Sequence, residues 1–415
     1  VVKAWQMTKM RIVLSDRDGN VCYDEKEIVF DKKEYEAKTV FLHTAKKDEN
    51  ARLSIAFCEE GTVSIGAVSL MPGNHFHGMR PDVVNLLKEM GVRLLRWPGG
   101  NFAGEYNWKD GLLPADMRAP FESHLGMETQ PHSLGYDFNE INTDDFVALC
   151  KEIGAEPFIT INPTWNTEEE CAQWVEYCNG PADSRYGALR AANGHAAPYG
   201  VKYWDIGNEA FAEWEIGHCD ADAYCEKFQQ FATAMRQIDS GIKLIACGGD
   251  GNSSDQSWNE TLCKQLGNTA DYLGIHNYTP LTGKKFADPK LQYYAVAAAP
   301  VQYELRMRKT QQVLQSYPGQ MMLAVTEWNC NYQDGTEQEQ TMEAAICNAG
   351  MLNAFIRMGS AVQISMISDL INGWPGGIIR SRNGYCYGTP SCMHRRDQHP
   401  YFPVNTILRI TQQER

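Results

Sequence analysis

The sequence predicts an α/β protein: a (β/α)8 barrel of the TIM type with an N-terminal all-β sandwich module. Three observations carry this expectation. From residue 80 onward, short apolar runs of β type alternate with segments of helical period, which implies a parallel sheet, and the number of units implies a closed barrel. Residues 1–72 read differently, as short, partly alternating runs separated by turn dipeptides. Finally, Trp-Asp-Ile-Gly-Asn-Glu (204–209) and Ala-Val-Thr-Glu-Trp-Asn (324–329) each read as a buried strand with a glutamate at its C-terminal end. Barrel enzymes build their sites at that end of the strands.

The N-terminal module is read from Val40–Leu42, Leu53–Phe57 and Val63–Leu70, with Asp18-Gly19 and Glu60-Gly61 as punctuation and Met71-Pro72-Gly73 as its close. The barrel assigned to 73–370 begins with a helix opened by Pro81, which carries Val83, Val84, Leu87 and Met90 on one face. Strands are expected at Val92–Trp97, Pro157–Asn162, Val201–Gly207, Ile242–Gly248, Tyr272–Asn277, Met321–Trp328 and Ala361–Ser368. One intervening helix starts with the capping box Thr167…Glu170. Another places Tyr224, Phe228, Phe231, Met235 and Ile238 at helical spacing, the pattern of a packed face. The count stops at seven strands. Either the first barrel strand is hidden within 1–72 or the chain is a piece of something longer, and the second reading is favoured. Residues 371–415 are assigned to barrel-edge loops and the start of a C-terminal β-domain.

Composition bounds the function. The chain has 415 residues, 43% of them hydrophobic, enough to bury a large core. Its 38 basic and 52 acidic residues give a net charge of −14, which argues against nucleic acid or an anionic membrane surface as partner. A neutral glycan is indifferent to that field. No apolar run approaches the roughly 18 residues of a membrane span. The 13 cysteines are scattered, form no CxxC pair and sit in apolar patterns, so they read as reduced thiols of a cytoplasmic, bacterial protein. A zinc site from His218, Cys219 and Cys225 is disfavoured, because cysteines six apart on a helix do not converge on one ion. No metal and no cofactor are expected.

The chemistry-bearing residues all lie at strand ends. Glu209 and Glu327 are a candidate carboxylate pair for glycoside cleavage, in which one group protonates the leaving oxygen and the other attacks or stabilises the sugar cation. The stretch between them is long enough for three βα units, which puts them across one barrel mouth. Asn208 is placed to hold a sugar 2-hydroxyl beside Glu209. Arg96, ahead of Trp97-Pro98-Gly99-Gly100-Asn101, can orient a nucleophile and keep it ionised. His276 and Tyr278 end another strand and could touch both nucleophile and sugar. Taken singly, each also has a plain structural reading: Glu209 solvated at the rim, Glu327 paired to Arg96, Arg96 in an ordinary turn, His276 satisfied within the wall.

Taken together these segments resemble glycoside hydrolase family 51, the retaining α-L-arabinofuranosidases. The resemblance rests on Leu-Arg-Trp-Pro-Gly-Gly-Asn-Phe (95–102) with Tyr-Asn-Trp-Lys-Asp-Gly (106–111), on Trp-Asp-Ile-Gly-Asn-Glu (204–209) with Trp-Glu-Ile-Gly-His (214–218), and on Glu-Trp-Asn (327–329). Residues 61–72 look like the end of the carbohydrate-binding-like sandwich that some members insert between the first barrel strand and the first helix. The resemblance implies Glu209 as acid/base and Glu327 as nucleophile, with Arg96, Asn101, Asn208, His276 and Tyr278 around the sugar. It further implies double-displacement release of terminal arabinofuranose from oligosaccharides or polysaccharides, with a homo-oligomer as an option. An endo-glucanase or xylanase on the same scaffold, and a glycan-binding protein without turnover, are the competing readings.

Overall fold

The computed structural model describes residues 1–124, 134–279, 288–330, 340–368, 370–373, 377–382, 384–392 and 406–407. The chain divides into two compact units, Val1–Gly78 with Trp108–Thr143, and Met79–Asn107 with Asp144–Arg415.

The first unit is all-β. Strand β1 (Val2–Ala4) pairs antiparallel with β5 (Val63–Ile65), and β2 (Thr8–Ser15) lies between β3 (Cys22–Phe30) and β4 (Arg52–Phe57). Val2, Ala4, Met10 and Phe30 form its core, with Ile28, Ile55 and Val63 packed against it. A short ribbon, β7 (Phe121–Glu122) with β8 (Tyr136–Asp137), completes the unit. Two departures from the sequence reading stand out. Val40–Leu42 is not a strand, and Phe41 is exposed. The β2–β3 hairpin was not anticipated, because charged residues interrupt its apolar runs; Lys9–Glu27 and Arg11–Glu25 are ion pairs across it.

The second unit follows α1 (Pro81–Glu89) with β6 (Leu94–Trp97), α2 (Thr143–Ile153), β9 (Glu156–Ile161), α3 (Glu168–Asn179), α4 (Arg185–Ala192), β10 (Tyr203–Ile206), α5 (Ala221–Ile238), β11 (Lys243–Asp250), α6 (Ser257–Leu266), β12 (Tyr272–Thr279), α7 (Pro289–Ser316), β13 (Met322–Cys330), α8 (Met342–Met358) and β14 (Val362–Ile367). The hairpin β15 (Ile379–Arg382) with β16 (Tyr385–Gly388) and the short β17 (Thr406–Ile407) come last. The seven strands β6, β9, β10, β11, β12, β13 and β14 run parallel in that order. Each strand sends side chains to a shared interior: Leu94, Phe158, Tyr203, Ile245, Tyr272, Ala324, Ile364 and Met366 are buried there. This is the TIM-like core that the alternating pattern predicts.

Among the described residues no parallel strand lies between β14 and β6, and the outer neighbour of β14 is the antiparallel β17. None of β1–β5 joins this sheet, so the first barrel strand is not hidden in residues 1–72.

The helices form where their ends are capped and their inner faces apolar. Thr167 Oγ1 accepts from Glu170 N at 3.2 Å and Glu170 Oε2 accepts from Thr167 N at 3.0 Å, so both arms of the capping box are made. Asp220 caps α5, whose Tyr224, Phe228, Phe231 and Met235 are buried. Ile238, expected on that face, is instead exposed at the last turn.

Candidate active site

Four strand ends of the barrel build the site. Along β6, Arg96 lies two residues beyond the core residue Leu94, and along β10 Asp205 lies two beyond Tyr203. Side chains two apart share a strand face, so both turn into the barrel. There Arg96 Nε and Nη2 donate to Asp205 Oδ2 at 3.1 and 2.9 Å. Arg96 Nη1 donates to Glu327 Oε1 at 2.6 Å and Nη2 to Asn208 Oδ1 at 2.9 Å. The guanidinium is thus the hub of the floor. Burial alone would favour its loss of charge, but Asp205 and Glu327 more than offset that and hold it firmly cationic.

Glu327 owes its inward aim to a break in register. Ile275 pairs with Val325, but His276 pairs with Glu327, leaving Thr326 as an extra residue on β13. Strict alternation from the interior residue Ala324 would have turned Thr326 inward; the extra residue turns Glu327 inward instead. His276 and Tyr278, two apart on β12, both reach it. Tyr278 Oη donates to Glu327 Oε2 at 2.5 Å, and His276 Nδ1 lies 3.5 Å from the same oxygen. Burial would push the Glu327 carboxyl up, but His276, Arg96 and the Tyr278 hydroxyl together hold it below its ordinary value, as the anion.

Glu209 sits on a tight turn after β10. Gly207 has φ +87°, a conformation open to glycine, and Glu209 itself has φ +39°, a left-handed backbone that costs a residue with a Cβ roughly 1–2 kcal/mol. The turn lifts the carboxyl to the mouth. His276 Nδ1 bonds Glu209 Oε1 at 2.8 Å, and Trp214 Nε1 donates to Oε2 at 2.8 Å. The imidazole therefore stands between the two carboxyls. Burial would lower its proton affinity, but the charge of Glu327 and the bond to Glu209 outweigh burial and raise it above the usual histidine value. Oxygens of Glu209 and Glu327 and a nitrogen of His276 all lie within 4.8 Å of one another.

On the β6 side, Gly99 and Gly100 have φ +64° and +60° and turn the chain into a short 3-10 segment, Asn101–Gly104. A Cβ on Gly100 would lie 3.8 Å from Glu327 Oε1, so this backbone runs beside the carboxylate. Asn101 Oδ1 is 3.4 Å from Asn208 Nδ2, which also donates to Glu215 Oε1 at 2.9 Å.

The structure therefore gathers all seven residues picked from the sequence, Arg96, Asn101, Asn208, Glu209, His276, Tyr278 and Glu327, into one connected set. Three neighbours were missed. Asp205 carried a signal, since an ionisable residue inside a buried four-residue strand needs a partner. Trp214 and Glu215 lay in a quoted segment, but only the folded turn shows what they touch. Among the described residues, Glu209, His276 and Glu327 are the one group whose ligand atoms converge closely enough for a cation; His218, Cys219 and Cys225 are not in it. Hydrogen bonds and the Arg96 charge account for that arrangement.

Comparison with known proteins matches this architecture. The family model for the "Alpha-L-arabinofuranosidase 1 domain" fits residues 86–297, about half of the chain. A probable alpha-L-arabinofuranosidase C of Aspergillus clavatus is 30% identical over 362 residues, covering 82% of this chain and 70% of the fungal protein. The intracellular exo-alpha-(1->5)-L-arabinofuranosidase 1 of Bacillus subtilis is 27% identical over 321 residues, covering 71% of this chain and 61% of the relative. The alpha-L-arabinofuranosidase of Thermotoga maritima, solved as an arabinose complex, superposes with a TM-score of 0.68 at 30% identity, covering 77% of this chain. The GH51 enzyme of Thermotoga petrophila superposes with a TM-score of 0.69 at 30% identity, covering 77%. The chain spans 63% of the length of each of these two structures. On this fold, this sequence likeness and this arrangement of strand ends, the chain belongs to glycoside hydrolase family 51, the α-L-arabinofuranosidase family.

Proposed function

We propose that this chain is a retaining exo-glycosidase that releases terminal α-L-arabinofuranosyl residues from plant-polysaccharide-derived oligosaccharides. The observation that carries the reading is the pair Glu209 and Glu327, one oxygen of each lying within 4.8 Å of the other. Direct attack requires carboxyls about 5–5.5 Å apart, whereas an inverting enzyme leaves about 6.5–9.5 Å for a water. Glu327, kept anionic by Arg96, His276 and Tyr278, attacks the anomeric carbon. Glu209, aimed by His276 and Trp214, gives its proton to the leaving oxygen. The Glu327–sugar ester then forms as the glycosidic C–O bond breaks. In the second half Glu209 takes a proton from water, which displaces Glu327 and returns it as carboxylate. Asn208 offers its amide to the 2-hydroxyl, a bond that strengthens as the ring flattens toward the oxocarbenium ion. The names of the relatives support arabinofuranose as the sugar.

Cytoplasmic residence belongs to the same proposal: all thirteen cysteines are free thiols, most of them buried, and among the described residues no helix is long and apolar enough to cross a membrane. The endo reading turns on loops at 112–140 and 372–390, which lie partly outside the described residues.

The test is a panel of aryl glycosides followed by two variants. Aryl α-L-arabinofuranoside should be cleaved in preference to xylosides and glucosides. Glu327→Ala should abolish turnover, with azide restoring an inverted glycosyl azide. Glu209→Ala should slow poor leaving groups far more than activated aryl ones, because only the former need protonation. Equal slowing of both would refute the assignment of Glu209.

A further inference from the structure

Glu215 is a buried carboxyl that the mechanism above does not use. It stands in the turn after Glu209, 5% exposed. Its Oε1 accepts from Asn208 Nδ2 at 2.9 Å, while Asn208 Oδ1 accepts from Arg96 Nη2 at 2.9 Å. The Asn208 amide is thereby gripped at both ends. If it flipped, its NH2 group would face the guanidinium and the bond from Arg96 would be lost, and its oxygen could bond Glu215 only through the proton of the acid form. The backbone of Asn101–Gly104 closes over Glu215: a Cβ on Gly104 would lie 2.8 Å from Ile216 Cγ2 and 3.8 Å from Glu215 Oε2.

We infer that Glu215 is a positioning residue for the reaction, holding the Asn208 amide in the one orientation that serves both Arg96 and the sugar. The inference rests on the glycosidase reading above. A carboxyl in this place, in contrast to an amide, also makes the lock sensitive to pH. Glu215 is pushed up to about 8, chiefly by burial and then by the charges of Glu209 and Glu327, against the Asn208 bond and His276, which pull it down. The other titratable groups facing it or its cavity are Cys219, Tyr224 and Lys227, with Cys247 from β11. Near neutrality Glu215 is therefore the protonated acid, which accepts the Asn208 bond without adding a third negative charge beside Glu209 and Glu327. Ionisation in mildly alkaline solution tightens the bond from Asn208 but brings that third charge in beside the acid/base and the nucleophile.

The experiment compares Glu215→Ala with Glu215→Gln, the isostere of the protonated acid. Glu215→Ala should lower kcat on an aryl arabinofuranoside at least tenfold, with KM changed less than threefold. Glu215→Gln should recover most of that loss at pH 6 and extend activity about one pH unit further into alkali than wild type. A crystal structure of Glu215→Ala should show the Asn208 amide turned. Melting temperature reports whether each variant folds. Wild-type kcat in Glu215→Ala, failure of Glu215→Gln to rescue, an unshifted alkaline limb, or an unmoved Asn208 would each overturn the inference. Wild-type protein inactive on every glycoside would instead overturn the functional reading, and the crystallographic arm would still test the grip on Asn208.

Discussion

Replacing Arg96 with methionine removes the hub of the site while keeping most of its volume. The guanidinium gives four hydrogen bonds, two to Asp205, one to Glu327 and one to Asn208. Its side chain is 7% exposed, and those of Asp205 and Glu327 are 4% and 12% exposed. Methionine would take from Asp205 the guanidinium that donates to it and leave Glu327 with only His276 and Tyr278. Removing one partner of a buried ion pair costs about 3–5 kcal/mol, mostly the cost of the uncompensated charge left behind. The pH dependence has a definite sign. In wild type the Glu327 carboxyl lies below its ordinary value of 4.5, so its stabilisation is present above that value and is lost as pH falls through the lower, folded one. In Arg96→Met one of the influences that lower it is gone, so its folded value rises and it adds less stability as pH rises; Asp205, already raised by burial in spite of Arg96, rises further and weakens the fold as pH rises. The gap between the two proteins should thus be small near pH 4–5 and reach about 3–5 kcal/mol at pH 7. Urea unfolding followed by tryptophan fluorescence across that range measures it. A loss under about 1 kcal/mol at pH 7, or one that does not vary with pH, would refute the claim that Arg96 offsets buried negative charge.

Three further outcomes are expected. Tyr278→Phe deletes the hydroxyl that donates to Glu327 Oε2; a hydrogen bond to a charged group is worth about 1.5–3 kcal/mol, so kcat/KM should drop roughly ten- to a hundredfold, and an unchanged value would remove Tyr278 from the chemistry. Thr167→Ala breaks the capping box of α3 and should cost about 1 kcal/mol in urea unfolding with kcat unaltered. Dialysis against chelator should leave turnover unchanged; loss restored by a single divalent ion would mean that Glu209, His276 and Glu327 hold a metal.

The barrel could be read from the chain because buried parallel strands are short, apolar and separated by helices of unmistakable period. Each of the seven expected strands occurs within two residues of its expected bounds. The N-terminal module was harder, because its longest strands carry a charged face that hides their alternation, as Lys9, Arg11, Glu25 and Glu27 show. Within the site, residues on strand ends announced themselves as polar groups after apolar runs. Asp205 has that character too, yet its partner Arg96 is 109 positions away, and only the closing of the sheet brings the two together. Trp214 and Glu215 depend on the path of an irregular turn, which no periodicity encodes.

The extra residue on β13 has a consequence for how such a chain can vary. A strand is a wave of period two, and Thr326 shifts its phase by half a cycle just before the nucleophile. The core residues below it and the carboxylate above it therefore belong to opposite phases of one strand. Deleting Thr326 would restore a single phase with Glu327 still inward, two places after Ala324, whereas straightening the strand with Thr326 kept would turn Thr326 toward the sugar and Glu327 into the barrel wall. What the site requires is therefore a phase and not a length: a bulged strand and a regular strand one residue shorter both present Glu327 to the sugar.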